Sequence, residues 1–434
     1  MTAKIELAFR PGVITEIEIE DQNLLFYAGQ SKAAVEDSQE HLVLSALNSP
    51  ISSPRLKEII KPDDNILIII DDFTRPTPTA VILPEILKQV HVAGVSRSEV
   101  KILVAAGTHR PMSDDELTIK LGKEIHGKYQ VFNHDYLAGP FVDLGHTKSG
   151  IPVEVNELVT KADIRLAVGN VVPHTSAGWG GGSKIILPGV CSYKTTEMMH
   201  IRAVLNQPLL DVPGKRNTQT RHEMDDIAAK VGLDFIVNTV LDDGGNILKV
   251  FAGHFVEAHK EACIFAEKMQ IIPIPALADI LIVSANPCHF DFWQGLKPYI
   301  YGHLGVREDG IIIFLLDGTE GLCGDAPTHE ETFRKYLLWS FKDQKSAVEC
   351  GEVEDLIGIH ATIQHAQVRN RVKKTICVSR NITPEDMKVL GFESASSVQE
   401  ALEMAYEILG RGAKVGVIPY GGETLVKPVS SDKQ

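Results

Sequence analysis

Residues 65–78 read Asn65-Ile66-Leu67-Ile68-Ile69-Ile70-Asp71-Asp72-Phe73-Thr74-Arg75-Pro76-Thr77-Pro78. An apolar run with no polar alternation is the pattern of a strand covered on both faces. Its abrupt change to Asp-Asp-Phe-Thr-Arg-Pro marks a loop, and a helix is predicted from Pro78 to Ala93.

The same unit recurs. Val100 to Ala105 is a second apolar run, followed by a loop and a helix near Ser113–Leu121. Asp163 to Val168 is a further strand. After Ile271-Ile272-Pro273-Ile274-Pro275, the best linker candidate, a second series begins. It holds strands at Asp279–Ser284, Ile311–Leu316, Thr375–Ser379 and Lys414–Ile418, with an amphipathic helix at Ser397–Leu409. Strand, loop and helix in alternation imply largely parallel sheets with helices on both faces. The N-terminus differs. Lys4 to Ile19 alternates with period two around Pro11-Gly12 and reads as a hairpin, and Lys32 to Asn48 is helix-like.

The fold class is therefore α/β, with two α/β domains and a cleft between them. The boundaries are 1–270 and 271–434, and the tail from about residue 419 is a candidate to return to the first domain. A chain of 434 residues is too long for one ordinary core, which agrees.

The formal net charge of -14 argues against nucleic acid as a partner. No apolar run reaches the ~18–20 residues of a membrane helix, and the N-terminus lacks the form of a signal peptide. Six scattered cysteines without a CxxC pair read as reduced, mostly buried thiols in a cytoplasmic protein.

In open α/β sheets, ligands bind beyond the carboxyl ends of strands. Four such ends carry charged or imidazole groups: Asp72 and Arg75; His109; His174; and the segment through Trp293, Gln294 and Lys297. Arg75 suits bidentate carboxylate recognition. Asp-Phe-Thr-Arg-Pro is also readable as an N-capping segment, and Gly-Thr-His as a loop with a satisfied surface histidine. Most of the sixteen histidines must be structural; His41, His91, His126 and His259 carry no partner signal, and His134 is intermediate.

His174 leads into Gly178-Trp179-Gly180-Gly181-Gly182-Ser183-Lys184. A P-loop needs glycine at 183 and Ser or Thr at 185, where this chain has Ser183 and Ile185. Gly178, Gly180, Gly181 and Gly182 could still bring backbone N–H groups close to an anion, or form a packing loop. Lys184 reads either as a point charge on phosphate or as a desolvated amine for a covalent tether. His200 has no second ligand at helix spacing, so it is not an ordinary zinc site.

As a set, DDFTRPTP, AAGTHRPM, the block from His174 to His200, and DFWQGLK resemble the nickel-dependent lactate racemase family over roughly residues 1–420. The resemblance implies an isomerase, a racemase or epimerase that inverts C2 of a 2-hydroxy acid by hydride transfer through a 2-oxo acid. It implies a nickel pincer nucleotide, the nickel complex of a pyridinium-3,5-bisthiocarboxylic acid mononucleotide, bonded to Lys184 through a thioamide. The cofactor phosphate would account for the glycines and Ser183.

On the same basis His200 is the metal ligand, His109 and His174 are the acid/base pair, and Arg75 holds the substrate carboxylate beside Asp72. Trp293, Gln294 and Lys297 close over the substrate from the second domain. Trp293 stands where lactate enzymes of this family carry tyrosine, and Pro298 follows Lys297. Larger aliphatic, aromatic or sugar acids therefore join lactate as candidate substrates. The implied partners are cofactor-synthesis and nickel-insertion proteins. Two other readings of the residues stay open: a non-catalytic carrier of the nickel nucleotide, and a pyridoxal-phosphate enzyme using Lys184.

Overall fold

The computed structural model describes residues 1–29, 37–206 and 209–429. Among these residues no helix is long and apolar enough to cross a membrane. The residue 65–78 stretch folds as read: Ile66–Asp71 is a fully buried strand, and the helix Thr79–Val92 comes after its loop. Ile66, Ile68 and Ile70 enter one core cluster with Ile82, Leu83 and Ile86 of that helix. Leu67 and Ile69 enter the cluster on the opposite face. A strand with apolar neighbours on both faces has no position for a polar side chain, which is why its sequence does not alternate.

This strand lies inside a six-stranded sheet ordered Ile247–Gly253, Phe235–Leu241, Ile164–Asn170, Ile66–Asp71, Val100–Ala105, Gln130–Asn133. Only the Ile247–Gly253 edge runs antiparallel to its neighbour. The chain builds outward from Ile66–Asp71 in one direction, then returns to place Ile164–Asn170 on the other side. Connections therefore diverge between these two strands, leaving a crevice beyond their carboxyl ends.

The second six-stranded sheet repeats the plan. Its order is Glu393–Ser394, Lys374–Ser379, Val306–Leu316, Ala278–Ser284, Val415–Ile418, Leu24–Tyr27, all parallel. Here connections diverge between Ala278–Ser284 and Val415–Ile418. The helix Val398–Leu409 buries Val398, Ala401, Leu402, Ala405 and Tyr406, one helical stripe, and Ser397 caps its start.

Four expectations are corrected. The Thr2–Arg10 and Val13–Glu20 hairpin forms, but Ile5, Leu7, Phe9, Ile17 and Ile19 pack on Ile280, Ile313 and Val417. With Leu24–Tyr27 also in the second sheet, a single cut near residue 270 does not divide the chain. The supposed linker Ile271–Ile274 is a strand, paired in parallel with Leu425–Pro428. That pairing, with Leu425 and Val426 in the core cluster of the second sheet, keeps the described part of the tail there. The helix expected from Lys32 begins at Gln39 in the described chain, and residues 32–36 lie outside the described residues.

Candidate active site

The two crevices face each other across one cavity. Asp72, Arg75, His109, His174, Gly180, Gly181, Gly182, Lys184, His200, Trp293 and Lys297 all line it. Gly178 and Ser183 stand outside this wall, and the Gln294 amide meets it at Arg75, His109 and Lys297.

The first loop is pinned from below. Lys120 pairs with Asp71 at 2.7 Å and donates to the backbone carbonyls of Asp72 and Arg75 at 2.9 and 2.8 Å. Asp72 Oδ1 accepts from the Thr74 amide and hydroxyl at 3.1 and 2.6 Å. That leaves Asp72 Oδ2 for His109 Nδ1, 2.6 Å away. Burial pushes the Asp72 carboxyl up, but the His109 ring and the Arg75 charge outweigh it and hold it well below the usual range. A second carboxylate, Asp325, lies 3.6 Å from the same nitrogen. Ligand atoms of Asp72, His109 and Asp325 fall within 4.8 Å of one another, a spacing a cation could use. The Asp72–His109 hydrogen bond already holds two of the three, and Gln294 takes Asp325 Oδ2.

His174 lies beyond the strand Ile164–Asn170 and pairs with Gly178 in a two-residue antiparallel ladder. Its Nδ1 accepts the N–H groups of Ser176 and Ala177, each at 3.2 Å. The ring proton is thereby placed on Nε2. Burial, then the charges of Lys184, Lys297 and Arg75, push this imidazole well below its ordinary value.

The glycine loop is braced from behind. Arg221 donates to the carbonyls of Trp179 and Gly181, and His259 bonds the Gly180 carbonyl at 2.7 Å. Gly181 has φ +72°, and a Cβ there would lie 2.9 Å from the Asn170 carbonyl oxygen, so close packing explains it. Gly178 is a packing glycine too, because a Cβ would strike the Lys215 carbonyl oxygen at 1.8 Å. The N–H groups of Gly180 and Gly182 donate to Val172 O and Asn238 Oδ1 at 2.7 and 2.8 Å. Those two amides are committed inside the protein, which corrects the expectation that they cradle a phosphate. Ser183 donates to Asp225 and accepts from Arg221, so it faces the brace.

Lys184 emerges from this loop into the cavity. Burial, reinforced by Arg75 and Lys297, pushes its amine well below the ordinary lysine value. His200, in the helix Tyr193–Asn206, donates through Nδ1 to the Thr196 carbonyl at 2.8 Å. That bond leaves the Nε2 lone pair open. Burial pulls this imidazole down to about 4. The His360 ring stands edge-on to it, with centroids 4.9 Å apart.

The second sheet contributes two helical faces. In Phe292–Gly302, capped by Asp291 at the Gln294 amide (2.9 Å), the wall residues are Trp293, Leu296, Lys297 and Ile300. In Leu356–Arg371 they are Ile357, His360, Ala361 and Gln364. Both sets have the i, i+3, i+4, i+7 spacing of one helix face. Trp293 is stacked on His329, with centroids 4.5 Å apart. Glu423, after the strand Val415–Ile418, completes the wall. Burial pushes its carboxyl up to about 8, with Arg75 opposing.

Sequence reading misses Asp325, His360, Glu423, Lys120, Arg221, Asn238 and His259. Asp325 and Glu423 lie beyond apolar strands, so the strand-end rule contains the signal for both. His360 lies inside a helix, and nothing in the sequence around His259 names the Gly180 carbonyl as its partner.

Comparisons with known proteins agree on one relationship. The family profile described as lactate racemase N-terminal domain matches residues 13–210, and that of lactate racemase C-terminal domain matches residues 275–426. The lactate racemase of Lactiplantibacillus plantarum is 30% identical over 435 residues, covering 98% of this chain and 99% of that one. The lactate racemase of Thermoanaerobacterium thermosaccharolyticum is 31% identical over 399 residues, covering 90% and 91%. The apoprotein structure from the latter organism superposes with a TM-score of 0.87 at 28% identity, covering 98% of this chain and 100% of that one. A Thermotoga maritima protein at 18% identity shares the fold, with a TM-score of 0.70 over 93% of this chain and 100% of that one.

Proposed function

This chain belongs to the lactate racemase family, and from that membership we propose that it is an isomerase inverting C2 of a 2-hydroxy acid with a nickel pincer nucleotide held by Lys184 and His200. The observation that carries this reading is the convergence on one cavity of a two-cation anion site, a carboxylate-backed histidine, a second histidine and a depressed lysine.

The residues fit the cofactor. A neutral amine is the nucleophile that a covalent tether requires, and the surroundings of Lys184 favour that form. An imidazole whose Nδ1–H is committed to a carbonyl offers Nε2 to a metal, as His200 does. When bound, the group supplies the acceptor and donor of the C2 hydride, and that chemistry is its own.

The chain's residues do the rest. Arg75 and Lys297 hold the substrate carboxylate, which keeps C2 at one place while the planar 2-oxo acid turns. His109 Nε2 takes the hydroxyl proton, and Asp72 at Nδ1 stabilises the imidazolium that results. From the other strand end His174 Nε2–H donates a hydrogen bond to the substrate oxygen, and the proton held by His109 returns to that oxygen as hydride returns to C2. The two sheets close around the cavity, excluding water from the oxo acid. The Trp293 face and the apolar members of the helix Leu356–Arg371 bound the space for the C2 substituent, so lactate and larger 2-hydroxy acids are the substrate class.

The test is chiral separation of single-enantiomer 2-hydroxy acids after incubation with chain co-produced with cofactor-synthesis proteins. Metal analysis and the mass of the peptide bearing Lys184 accompany it. Inversion of at least one acid, bound nickel and a mass adduct on that peptide are expected. Absence of nickel and adduct together refutes the cofactor assignment. A cofactor-loaded chain that inverts no acid refutes the isomerase reading.

A further inference from the structure

The amide of Gln294 touches three of the groups assigned to the substrate above, Arg75, Lys297 and His109. Its Oε1 accepts from Lys297 Nζ and lies 3.5 Å from Arg75 Nη1. Its Nε2 donates to Asp325 Oδ2 and stands 3.2 Å from His109 Nε2. Chemistry fixes the orientation of this amide. Reversed, it would aim an NH2 at two cations and a carbonyl at a carboxylate. Because Asp72 holds His109 at Nδ1, the lone pair at Nε2 faces the amide N–H.

A 2-hydroxy acid presents the same set of groups. It has a carboxylate oxygen for the two cations and a hydroxyl proton for the base, on adjacent carbons instead of one. We propose that Gln294 is an internal stand-in for the substrate: in the closed cleft its amide occupies Arg75, Lys297 and His109, Asp325 holds it there, and a 2-hydroxy acid enters by displacing it. This inference rests on the proposed roles of those three residues.

Two further observations support it. Without the amide oxygen, Arg75 and Lys297 would face each other in an enclosed cavity with no shared acceptor, a costly arrangement. Asp325 Oδ1 is buried without a hydrogen-bond partner among the described residues, so an acceptor is available to the amide once it leaves the cations. Asp325 is itself anchored from both sides of the cleft. Its N–H donates to Asp291 at 2.8 Å, and its carbonyl accepts the Arg110 N–H at 2.7 Å. Asp325 is thus a positioning residue, holding Gln294 against His109 while its own carboxylate stands 3.6 Å from His109 Nδ1.

The sign of one measurement decides the matter. A residue that merely contacts substrate loosens binding when truncated, whereas a competing stand-in tightens it. The full-length chain without nickel nucleotide is titrated with L-lactate by calorimetry, as wild type, Gln294→Ala and Asp325→Asn. Gln294→Ala should tighten binding about 10-fold, the worth of one charge-assisted hydrogen bond no longer displaced. Asp325→Asn, nearly isosteric, should tighten it about 3-fold through a weaker hold on the amide. In cofactor-loaded protein the same changes should lower KM. Weaker or unchanged lactate binding in both variants overturns the stand-in while leaving the family reaction in place. A loaded wild type that inverts no 2-hydroxy acid overturns the reaction and the stand-in together.

Discussion

The two imidazoles of the cavity are built into opposite surroundings. His109 sits on a carboxylate wall, 2.6 Å from Asp72 and 3.6 Å from Asp325. His174 sits on a wall of basic groups, where Lys184, Lys297 and Arg75 are its neighbours and two backbone amides fill Nδ1. A carboxylate at Nδ1 fixes the tautomer that leaves a lone pair on Nε2 and stabilises the imidazolium formed when that lone pair takes a proton. Two N–H donors at Nδ1 put the ring proton on Nε2 and oppose a second one. The difference teaches that two side chains of one type divide the labour unequally. His109 is set to accept a proton, and His174 to offer a hydrogen bond.

The sharpest way to break this contrast is at the carboxylate. Asp72→Asn keeps the shape but reverses the preferred His109 tautomer, so turnover of the loaded enzyme should fall about 10³–10⁴-fold. Steady-state kinetics by chiral chromatography measure it, and a loss under 10-fold would mean that Asp72 does not set the base. Replacing each histidine by glutamine is the next test. Glutamine retains an N–H donor but cannot take a proton at neutral pH. His109→Gln should match Asp72→Asn, while His174→Gln should lose only about 10²-fold, the low end for acid–base groups. Equal losses would show the two walls to be equivalent.

The contrast also marks what the sequence makes legible. Every candidate on the first sheet lies just beyond an apolar run or in the segment it leads into. A doubly covered strand is conspicuous, and its end is where ligands meet the sheet. Applied to Ile311–Leu316 and Val415–Ile418, the same rule reaches Asp325 and Glu423. His360 is not legible that way, since a histidine inside a buried helix looks like any core residue until the partner helix is known. The glycine loop fails differently. Its spacing suggests an anion cradle, but its conformation is set by Arg221, His259 and Asn238, distant in sequence. The hairpin's alternation is legible, whereas the sheet it covers is not, because an amphipathic face does not name its partner.

A histidine away from the chemistry sharpens the contrast at smaller scale. His134 repeats the His174 arrangement: Asn156 donates to Nδ1 at 3.2 Å, and Nε2 bonds the Cys191 carbonyl at 2.9 Å. Burial pulls it down to about 4, against an ordinary value of 6.5. The folded chain therefore binds fewer protons here than the unfolded chain. The stability this imidazole contributes is fully present above pH 6.5 and is lost as pH falls toward 4. Between pH 7.5 and 5 the loss from this group is about 2 kcal/mol. His200 and His303, each near 4, steepen the wild-type curve in the same direction. His134→Gln can keep the donor and the acceptor without a titrating ring, so the difference between the two curves isolates His134. Urea unfolding at pH 7.5 and pH 5 should show the variant losing about 2 kcal/mol less than wild type. Parallel curves would mean that a ring with Nδ1 filled by an N–H donor still accepts a second proton. The same bonding would then no longer argue that His174 stays neutral.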